Sequence, residues 1–478
     1  MTLTDTRPDA DSSLLASLAA IVGEKHVMTD AHEMALYLSE PRELFHGSAV
    51  CVVRPGNTAE VAAVLKLCHD NDIHVVPQGG NTGLVGGQIP GQGGFREILL
   101  SLKRLDKVRE IDVSSNTMTI EAGVTLLRTQ QEAEKLGMLF PLSLASEGSC
   151  TIGGNLATNA GGTAVLAYGN ARDLVSGLEV VLADGRVLSN LSKLKKDNTG
   201  YDLKHLFMGS EGTLGIITAA VVKLFPRPRG LATAFVGLSS PQATLKFLDL
   251  ALAKAGADVK TFEFISRFGI EIVVNHGQNT RDPLSDPHNW YVLLELGSMN
   301  EASVEDTMMG ILEAAFEAEI IEDAVVAASL DQRADFWRLR ELLSELQKFE
   351  GGSIKHDVSV PVAKLPDFLD EALAAVTKRF PGCRPVPFGH LGDGNIHFNI
   401  TQPVGADKEK FLDQWDAMNT VVHDITTKFG GSISAEHGVG TLKRDLLPGV
   451  KDPVHLALMH TIKQALDPKN ILNPGKVI

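Results

Sequence analysis

Three glycine-rich tracts in the first half of the chain constrain its fold more than any other feature of the sequence. The first tract, residues 77–87, reads Pro-Gln-Gly-Gly-Asn-Thr-Gly-Leu-Val-Gly-Gly and follows an apolar run typical of a strand. Glycine permits positive φ angles and a close approach of the backbone to a ligand, so the N–H groups of such a loop can converge on a pyrophosphate. Taken alone, the tract is equally consistent with a wide surface turn.

The second tract, residues 146–162, and the third, residues 209–218, combine glycine with small hydroxyl and amide side chains. The first tract matches neither Gly-x-Gly-x-x-Gly nor a Walker loop ending in Gly-Lys-Ser/Thr, which argues against a nicotinamide cofactor and against ATP. Because turns alone do not require three such tracts in one region, the sequence predicts that they bind some other nucleotide cofactor.

Composition narrows the class of protein. The chain has 478 residues and exceeds the ~250 to 300 residues that a single core reaches, so at least two domains are expected. A net charge of -15 argues against a nucleic-acid partner. The four cysteines form no Cys-x-x-Cys pair, the first fifteen residues lack the pattern of a secretory signal, and no later apolar run is long enough to span a bilayer. We expect a cytoplasmic location, with the mitochondrial matrix as the alternative.

Local patterns in the first half predict a mixed α+β structure. Residues 13–40 have helical spacing, and residues 51–80 read as strand, turn, helix and strand, which is a βαβ unit. The helix is expected to start at Asn57 or Thr58, without a full capping box because Val61 stands three residues after Thr58. The Asp184-Gly185 pair between two β-rich runs predicts a hairpin.

The prolines in residues 225–230 interrupt regular structure and mark a domain boundary. Beyond them, residues 231–380 alternate strand-like runs with long helical patterns, as in helices packed on an antiparallel sheet. The expected domains are residues 1–226, residues 227–430 and a closing segment, residues 431–478.

Two histidines flank a Gly-Asp-Gly-Asn turn in residues 386–400. His390 and His397 would face opposite sides of one straight strand, but a hairpin at this turn lets them converge, with Asn399 on the face of His397. Two unrelated histidines in a hairpin remain the alternative interpretation.

Glu436 and His437 stand side by side before another glycine-rich turn. Two imidazoles and a carboxylate form a recurrent catalytic metal set that leaves positions open for water or substrate, and His437 would then be free to act as a base. Such a pair is more commonly formed by ordinary loop residues.

Arg340 is the best candidate to bind a substrate carboxylate. Helical spacing puts Ser344 on the same face one turn later, and Lys355, expected to begin a strand, is a second candidate cation. A solvated surface charge is the commoner role for either cation alone. A substrate with one carboxylate would leave the arginine without a partner.

The three tracts resemble, in order and spacing, the FAD-binding domain of the vanillyl-alcohol oxidase superfamily. The motifs His-Leu-Gly-Asp-Gly-Asn-Ile-His (390–397), Ala-Glu-His-Gly (435–438) and Asp-Pro-Lys-Asn-Ile-Leu-Asn-Pro-Gly-Lys (467–476) are similar to its D-2-hydroxy acid dehydrogenase branch. The resemblance covers the chain from about residue 40 to its end. It implies an α+β fold with a vanillyl-alcohol-oxidase-type FAD-binding domain and an inserted substrate domain of antiparallel sheet and helices.

The resemblance also implies roles for individual residues. His390, His397 and Glu436 would bind a divalent metal, with zinc as the first candidate, His437 would abstract a proton, and Arg340, Ser344, Lys355 and Asn399 would bind substrate. The flavin is expected to be noncovalent, with Cys150 as a minor candidate for a tether. The residues expected to bind FAD are Pro77, Gly79, Gly80, Asn81, Thr82, Gly83, Ser146, Gly148, Thr151, Gly153, Asn155, Asn159, Gly162, Glu211, Ile216 and Asn473.

The function implied is oxidation of a D-2-hydroxy acid by hydride transfer to flavin. The first tract resembles that of family members acting on D-2-hydroxyglutarate more than the Gly-Ala-Gly-Thr-Ser type of those acting on D-lactate, and D-malate is a shorter alternative substrate. Other expected partners are an electron acceptor, such as an electron-transfer flavoprotein or a quinone, and a second copy of the chain in a homodimer. A metal-dependent hydrolase and a flavin-binding protein without dehydrogenase activity are the rival interpretations.

Overall fold

A computed structural model describes residues 7–91 and 96–478, with the side chains of residues 7–10 excepted. Residues 1–6 of the polar leader and residues 92–95 lie outside the described residues. The chain forms two compact units. Unit 1 comprises Met1–Ala160, Asn170–Pro226 and Glu436–Ile478, and unit 2 comprises Gly161–Gly169 and Arg227–Ala435.

The chain up to Pro226 forms eleven strands and seven helices among its described residues. The strands are β1 (Val27–Met28), β2 (Val52–Val53), β3 (His74–Gln78), β4 (Glu97–Ser101), β5 (Val108–Asp112), β6 (Thr117–Glu121), β7 (Met138–Leu139), β8 (Val175–Val181), β9 (Val187–Asn190), β10 (Ile216–Lys223) and β11 (Phe225–Pro226). The helices are α1 (Arg7–Val22), α2 (Ala31–Leu38), α3 (Thr58–Asp70), α4 (Leu126–Glu134), α5 (Ile152–Ala157), α6 (Val165–Tyr168, in unit 2) and α7 (Lys204–Phe207).

The strands of unit 1 pair in three sheets within the described ranges. One has the order β1-β2-β4-β3, the second has the order β5-β6-β10-β8-β9, and β11 pairs with β7. In the first sheet β2 and β3 both run parallel to β4, which lies between them. The predicted βαβ unit of β2, α3 and β3 is therefore confirmed, with one strand from later in the sequence inserted into it. The second sheet is antiparallel throughout.

Helix α3 begins at a cap formed by Asn57 and Glu60. The side chain of Asn57 accepts the N–H of Glu60, and the Glu60 carboxylate accepts the N–H of Gly56 in return. Glu60 stands at the spacing of a capping box, three residues after Asn57, but it accepts the N–H of Gly56 and not that of the cap residue itself, so the box is incomplete. The expected helix start is confirmed, and so is the expectation that a full capping box is lacking.

Two other local predictions have different outcomes. The Asp184-Gly185 hairpin is confirmed, since β8 and β9 pair across it and Gly185 has a φ of 83°. Residues 13–40 do not form one continuous helix, because β1 separates α1 from α2. Asp30 then caps α2 by accepting the N–H groups of His32 and Glu33.

Unit 2 contains the rest of the strands described in the chain. They are β12 (Gly230–Leu238), β13 (Val259–Ser266), β14 (Trp290–Ser298), β15 (Asp323–Val326), β16 (Ser353–Ile354), β17 (Asp357–Ser359), β18 (Arg384–His390) and β19 (Asn395–Thr401). Its helices are α8 (Pro241–Ala255), α9 (Arg267–His276), α10 (Glu301–Glu317), α11 (Leu330–Glu341), α12 (Leu343–Leu346), α13 (Leu365–Arg379), α14 (Lys408–Leu412) and α15 (Trp415–Lys428). The closing segment of unit 1 adds α16 (Leu447–Val450) and α17 (Pro453–Leu466).

One antiparallel sheet organises unit 2. Its order is β15-β12-β14-β13-β18-β19-β16, and β17 pairs with β19. Side chains that alternate along β12 enter two different cores: Ala234 and Val236 pack with Phe247 and Phe368, whereas Phe235 packs in the second core. Helices α9, α11 and α12 supply Ile270, Phe336, Leu339 and Leu343 to that second core. The predicted arrangement of helices on an antiparallel sheet is confirmed, with both faces of the sheet covered.

Two expectations from composition can be compared with the described residues. All four cysteines are buried and free of disulfide bonds. Over the described ranges, no helix combines the length and the apolar character needed to cross a bilayer.

Candidate active site

The three glycine tracts lie together in unit 1, except that the last two residues of the second tract, Gly161 and Gly162, belong to unit 2. The N–H of Glu211 in the third tract donates to Ala157 O in the second at 2.8 Å, and the N–H of Gly209 donates to Leu156 O at 3.0 Å. In the first tract, a Cβ added to Gly80 would overlap Ser149 O of the second. The backbones therefore approach so closely that a side chain at Gly80 has no room.

Four non-glycine residues in these loops adopt left-handed backbone conformations. Their φ angles are 63° at Asn81, 52° at Asn159, 51° at Glu211 and 45° at Asn473. Asparagine tolerates this region better than most residues, whereas a glutamate there is uncommon and is held by its surroundings. All four are residues that the sequence predicts to bind the cofactor, so the strained positions coincide with the candidate loops.

Asn473 joins the closing motif to the tracts. Its side-chain N–H₂ donates to Gly87 O at 2.9 Å and to Glu211 O at 2.7 Å. One amide group therefore links the first and third tracts, which stand far apart in the sequence, and fixes both against the end of the chain.

The sequence predicts that Glu211 binds FAD, but its carboxylate binds backbone N–H groups of the closing segment. It accepts the N–H groups of Val439 and Gly440 at 2.7 and 2.8 Å. Burial raises the pKa of Glu211, although these two N–H groups act in the opposite direction. Its side chain thus holds the turn that follows His437.

The second tract offers one polar group suited to a ligand. The Thr151 hydroxyl is buried and has no hydrogen-bond partner among the described residues, and a Cβ on Gly79 would overlap it. Asn155, in contrast, turns its side-chain N–H₂ onto Cys150 Sγ at 3.5 Å. An unsatisfied buried hydroxyl next to a bare glycine backbone is consistent with a bound cofactor at this place.

The remaining predicted cofactor residues divide into loop and core positions. Ile216 is 1% exposed in β10, so its side chain belongs to the core. Gly162 lies in the short segment of unit 2. Burial raises the pKa of Cys150, and a thiol that stays protonated is a poor nucleophile for a flavin tether. In unit 1, Pro77 lies in β3, and Gly153 and Asn155 lie in α5. The loop positions of unit 1 are Gly79, Gly80, Asn81, Thr82, Gly83, Ser146, Gly148, Thr151 and Asn159.

In unit 2, the hairpin of β18 and β19 brings His390 and His397 together as the turn predicts. His390 pairs with Asn395 in the strand register and His397 with Phe388, and Gly394 at the turn has a φ of 84°. The ring centroids of the two histidines lie 5.5 Å apart and nearly perpendicular. Neighbouring imidazoles of this kind can act as two ligands of one cation.

A residue that the sequence interpretation missed, Glu263 on β13, joins His390 to Arg340. Its Oε1 lies 2.6 Å from Nδ1 of His390, and its Oε2 accepts Nε–H of Arg340 at 2.6 Å. Burial alone would raise the pKa of Glu263, but the charges of His390 and Arg340 lower it below its usual value. An isolated glutamate in the apolar run Thr-Phe-Glu-Phe-Ile-Ser (261–266) was the available signal.

The surroundings of Arg340 correct two expectations. Arg340 is 7% exposed and pairs with Glu263, so it would have a partner whatever the substrate. The sequence argument that a substrate with one carboxylate would leave Arg340 without a partner is therefore wrong. Ser344 lies on α12, after α11 ends at Glu341, and it is exposed whereas Arg340 is buried. The helix expected to carry both residues is thus interrupted at Leu342, and the two side chains differ in exposure.

The other predicted substrate residues are positioned by contacts within unit 2. Lys355 lies between β16 and β17 instead of beginning a strand, and its Nζ donates to Ser344 O at 3.4 Å. The side-chain N–H₂ of Asn399 donates to Oε1 of Gln347 at 2.8 Å. Lys355 and Ser344 are thus neighbours, and Asn399 is held in place by Gln347.

The chain leaves unit 2 beside the histidines. Nδ1 of His397 lies 3.9 Å from Oδ1 of Asp357 on β17, and the backbone O of Asp357 accepts the N–H of Ala435 at 3.3 Å. Ala435 is the last residue of unit 2, so Glu436 and His437 follow it directly in the sequence. The two imidazoles, with Nδ1 of His390 already engaged by a carboxylate, form a donor set that fits a divalent metal.

Comparison with known proteins agrees with the fold and the tracts. The family model described as "FAD binding domain" matches residues 49–190, and the one described as "FAD linked oxidases, C-terminal domain" matches residues 227–477. The structure of p-cresol methylhydroxylase with substrate bound superposes with a TM-score of 0.80 at 20% identity, covering 99% of this chain and 97% of that one.

Several relatives match nearly the whole chain, among them the following two. The mitochondrial D-2-hydroxyglutarate dehydrogenase of Arabidopsis thaliana is 36% identical over 98% of this chain and 82% of its own length. The D-2-hydroxyglutarate dehydrogenase of Xanthomonas citri pv. viticola is 35% identical over 97% of this chain and 96% of its own length. The fold and the tracts define an FAD-linked oxidase of the vanillyl-alcohol oxidase type, which confirms the predicted fold class and FAD as cofactor. The chain belongs to the D-2-hydroxyglutarate dehydrogenase family and is an FAD-dependent D-2-hydroxy acid dehydrogenase.

Proposed function

We propose that the chain oxidises D-2-hydroxyglutarate to 2-oxoglutarate. The observation that carries the proposal is the buried Arg340, tied through Glu263 to the histidine pair. A five-carbon substrate has a carboxylate at each end, and burying the second one without a cation is unfavourable. Both relatives described above bear the name of D-2-hydroxyglutarate dehydrogenase, which supports this substrate over D-lactate.

Arg340 would hold the distal carboxylate. Its contact with Glu263 uses Nε–H, and its Nη groups carry four further N–H donors with the planar geometry that suits a carboxylate. Lys355 and the Ser344 hydroxyl would add a charge and a hydrogen bond, and the Asn399 amide would bind the hydroxy-acid end. D-malate, one carbon shorter, is the second candidate substrate.

His390, His397 and Glu436 would hold a divalent metal, with zinc as the first candidate. Bound there, the ion would supply Lewis acidity that makes the substrate hydroxyl more acidic. His437 would take the hydroxyl proton, and bound FAD would accept the C2 hydrogen as hydride. A metal-dependent hydrolase, the first rival, would not use the FAD-binding domain. A flavin-binding protein without dehydrogenase activity, the second rival, would not use the histidine pair.

The proposal extends to partners and location. An electron-transfer flavoprotein or a quinone would reoxidise the flavin, and two copies would form a homodimer. The Arabidopsis relative is described as mitochondrial, which supports a mitochondrial location over the cytoplasm.

Steady-state kinetics on three acids tests the substrate. We expect kcat/KM to be highest for D-2-hydroxyglutarate, lower for D-malate and lowest for D-lactate. Arg340→Lys keeps the charge but loses the planar fork, so it should lower kcat/KM for the two diacids by about 10- to 100-fold, the loss of one or two charged hydrogen bonds. Turnover of D-lactate should change far less.

Arg333→Lys is the matched control, since Arg333 lies on the same helix and pairs with Glu295 instead. A preference of the unaltered enzyme for D-lactate would reject the substrate, and equal losses on diacids and D-lactate in Arg340→Lys would place Arg340 at the carboxylate that all three acids share.

A further inference from the structure

Glu263 is an unusual residue for the place it occupies. It is 0% exposed on the face of β13 that packs against the second core of unit 2, beside Ile265 and opposite Leu293 in the strand register. A carboxylate in such apolar surroundings is strongly unfavourable unless both oxygens are paired. A residue chosen for packing alone would be aliphatic here, so the charge needs a reason.

Both carboxylate oxygens are paired with residues of the candidate site. Oε1 faces Nδ1 of His390 and Oε2 faces Nε of Arg340, each at 2.6 Å. An ionised carboxylate only accepts hydrogen bonds, so Nδ1 of His390 carries the proton and donates it. The lone pair of that imidazole is then on Nε2, so Nε2 is the nitrogen that would bind a cation.

The same carboxylate also sets the direction of the guanidinium. With Nε–H held by Glu263 and Cζ lying 5.0 Å from the ring centroid of Phe388, the plane of Arg340 is fixed on two sides. The ring of Phe388 in turn lies 5.0 Å from the ring of His397. Arg340, Glu263 and the two histidines thus form one packed group within unit 2.

We propose that Glu263 is a positioning residue that serves both ends of the substrate: it fixes the tautomer of His390 for a divalent metal and the direction of Arg340 for the distal carboxylate. The inference rests on the proposed function. Carboxylates that accept the second N–H of a metal-bound histidine raise its affinity for the metal, and their loss typically costs 10- to 100-fold. Loss of Glu263 should therefore weaken metal binding and diacid binding together.

The chain contains a matched control for this role. Glu295 on β14 is likewise buried and pairs with Arg333 on the same helix, at 2.6 Å from Nε and 2.9 Å from Nη2. It also accepts Nε1–H of Trp337 at 3.0 Å. Glu295 therefore anchors α11 to the sheet as Glu263 does, but its hydrogen bonds go to Arg333, Trp337 and Thr233 and not to a candidate metal ligand.

The test compares Glu263→Gln with Glu295→Gln in the full-length, FAD-loaded protein. Affinity for Zn²⁺ is measured by competition with a chromophoric chelator, alongside the midpoint of thermal unfolding and the separate kcat and KM values for D-2-hydroxyglutarate. We expect Glu263→Gln to lower the Zn²⁺ affinity by about 10- to 100-fold and to raise KM for the diacid. Glu295→Gln should lower the unfolding midpoint while leaving the Zn²⁺ affinity within about twofold.

Each other outcome counts against the inference. Unchanged Zn²⁺ affinity in Glu263→Gln overturns it while leaving the proposed function intact, and an equal loss of affinity in both variants reduces Glu263 to a structural role. If the unaltered protein binds no Zn²⁺, the proposed metal site and the inference fail together. If Glu263→Gln does not fold, Glu263→Asp replaces it: its carboxylate is one methylene shorter and cannot reach both partners, so unchanged affinity there also overturns the inference.

Discussion

Several ionisable side chains in this protein are buried at positions where packing alone would favour apolar residues. Glu263 and Arg340 are both buried in unit 2, and Glu211 is buried in unit 1 against the turn that begins after His437. Each has hydrogen-bond partners, as buried polar groups require. The chain thus keeps buried ionisable side chains next to the residues proposed for chemistry, and substitutions can test their roles one at a time.

His437 provides the sharpest test at the residue scale. His437→Ala should lower the rate of flavin reduction by 10²- to 10⁴-fold, the usual cost of losing a general base, while the protein keeps its metal. Stopped-flow flavin bleaching gives the rate, and elemental analysis gives the metal content. Loss of the metal from this variant would instead make His437 a ligand and reassign Glu436.

At the scale of elements, a buried carboxylate connects several strands of unit 1 with the first turn of α3. Glu179 on β8 accepts the hydroxyl of Thr58 at 2.6 Å, Nη2–H of Arg109 at 3.1 Å and the hydroxyl of Thr218 at 2.9 Å. Burial opposes its ionisation, yet Arg109 and the two hydroxyls lower the pKa of Glu179 below its usual value. The network ties β5 and β10 to the helix of the βαβ unit.

Glu179→Gln should therefore destabilise unit 1 by about 2 kcal/mol at pH 7, since it removes hydrogen bonds to a charged acceptor. A lowered folded-state pKa means that this contribution is present above the unfolded pKa, near 4.3, and is lost as the pH falls through the folded value. Urea unfolding at pH 7 and at successively lower pH should show the difference between wild type and variant shrinking below about pH 4.3.

Glu110→Gln is the control in the same sheet, because Glu110 is exposed and pairs with Lys193 at the surface. Such a pair contributes little, so its removal should hardly change the unfolding midpoint. A difference for Glu179→Gln that persists unchanged to pH 3 would contradict the assignment of that carboxylate as ionised.

At the scale of the whole molecule, the candidate groups fall in different parts of the chain. The converging tracts are in unit 1, apart from Gly161 and Gly162, whereas the histidine pair and Arg340 are in unit 2. FAD and metal should therefore be removable separately. Chelation by EDTA should abolish turnover and leave the flavin absorbance spectrum in place, and heat should release FAD in a ratio near one per chain.

Re-addition of Zn²⁺ to the chelated protein should restore activity, and other divalent ions added in parallel would rank the metals. Full activity in metal-free protein would remove the metal from the mechanism. A protein that loses its flavin on chelation would show that the two groups depend on each other.

The features that the sequence alone determined are those that depend on residues adjacent in the chain. The Asp184-Gly185 hairpin and the reversal between His390 and His397 follow from turn residues flanked by alternating runs, and the helix after Asn57 follows from its cap. Such signals act over a few residues, so they can be interpreted without knowledge of the fold. The glycine tracts likewise predicted a nucleotide cofactor from local backbone requirements.

Tertiary structure decided which distant residues meet. Glu263 contacts His390 across 127 positions and Arg340 across 77, and those contacts exist because β13 pairs with β18 and α11 packs on the same face of the sheet. Local propensity specifies neither the order of strands in a sheet nor the face that a helix covers. Three contacts could therefore not be predicted from the sequence, because they depend on strand order and helix packing. They are the partner of Arg340, the link from Asn473 to two glycine tracts, and the hydrogen bonds of Glu211 to the turn after His437.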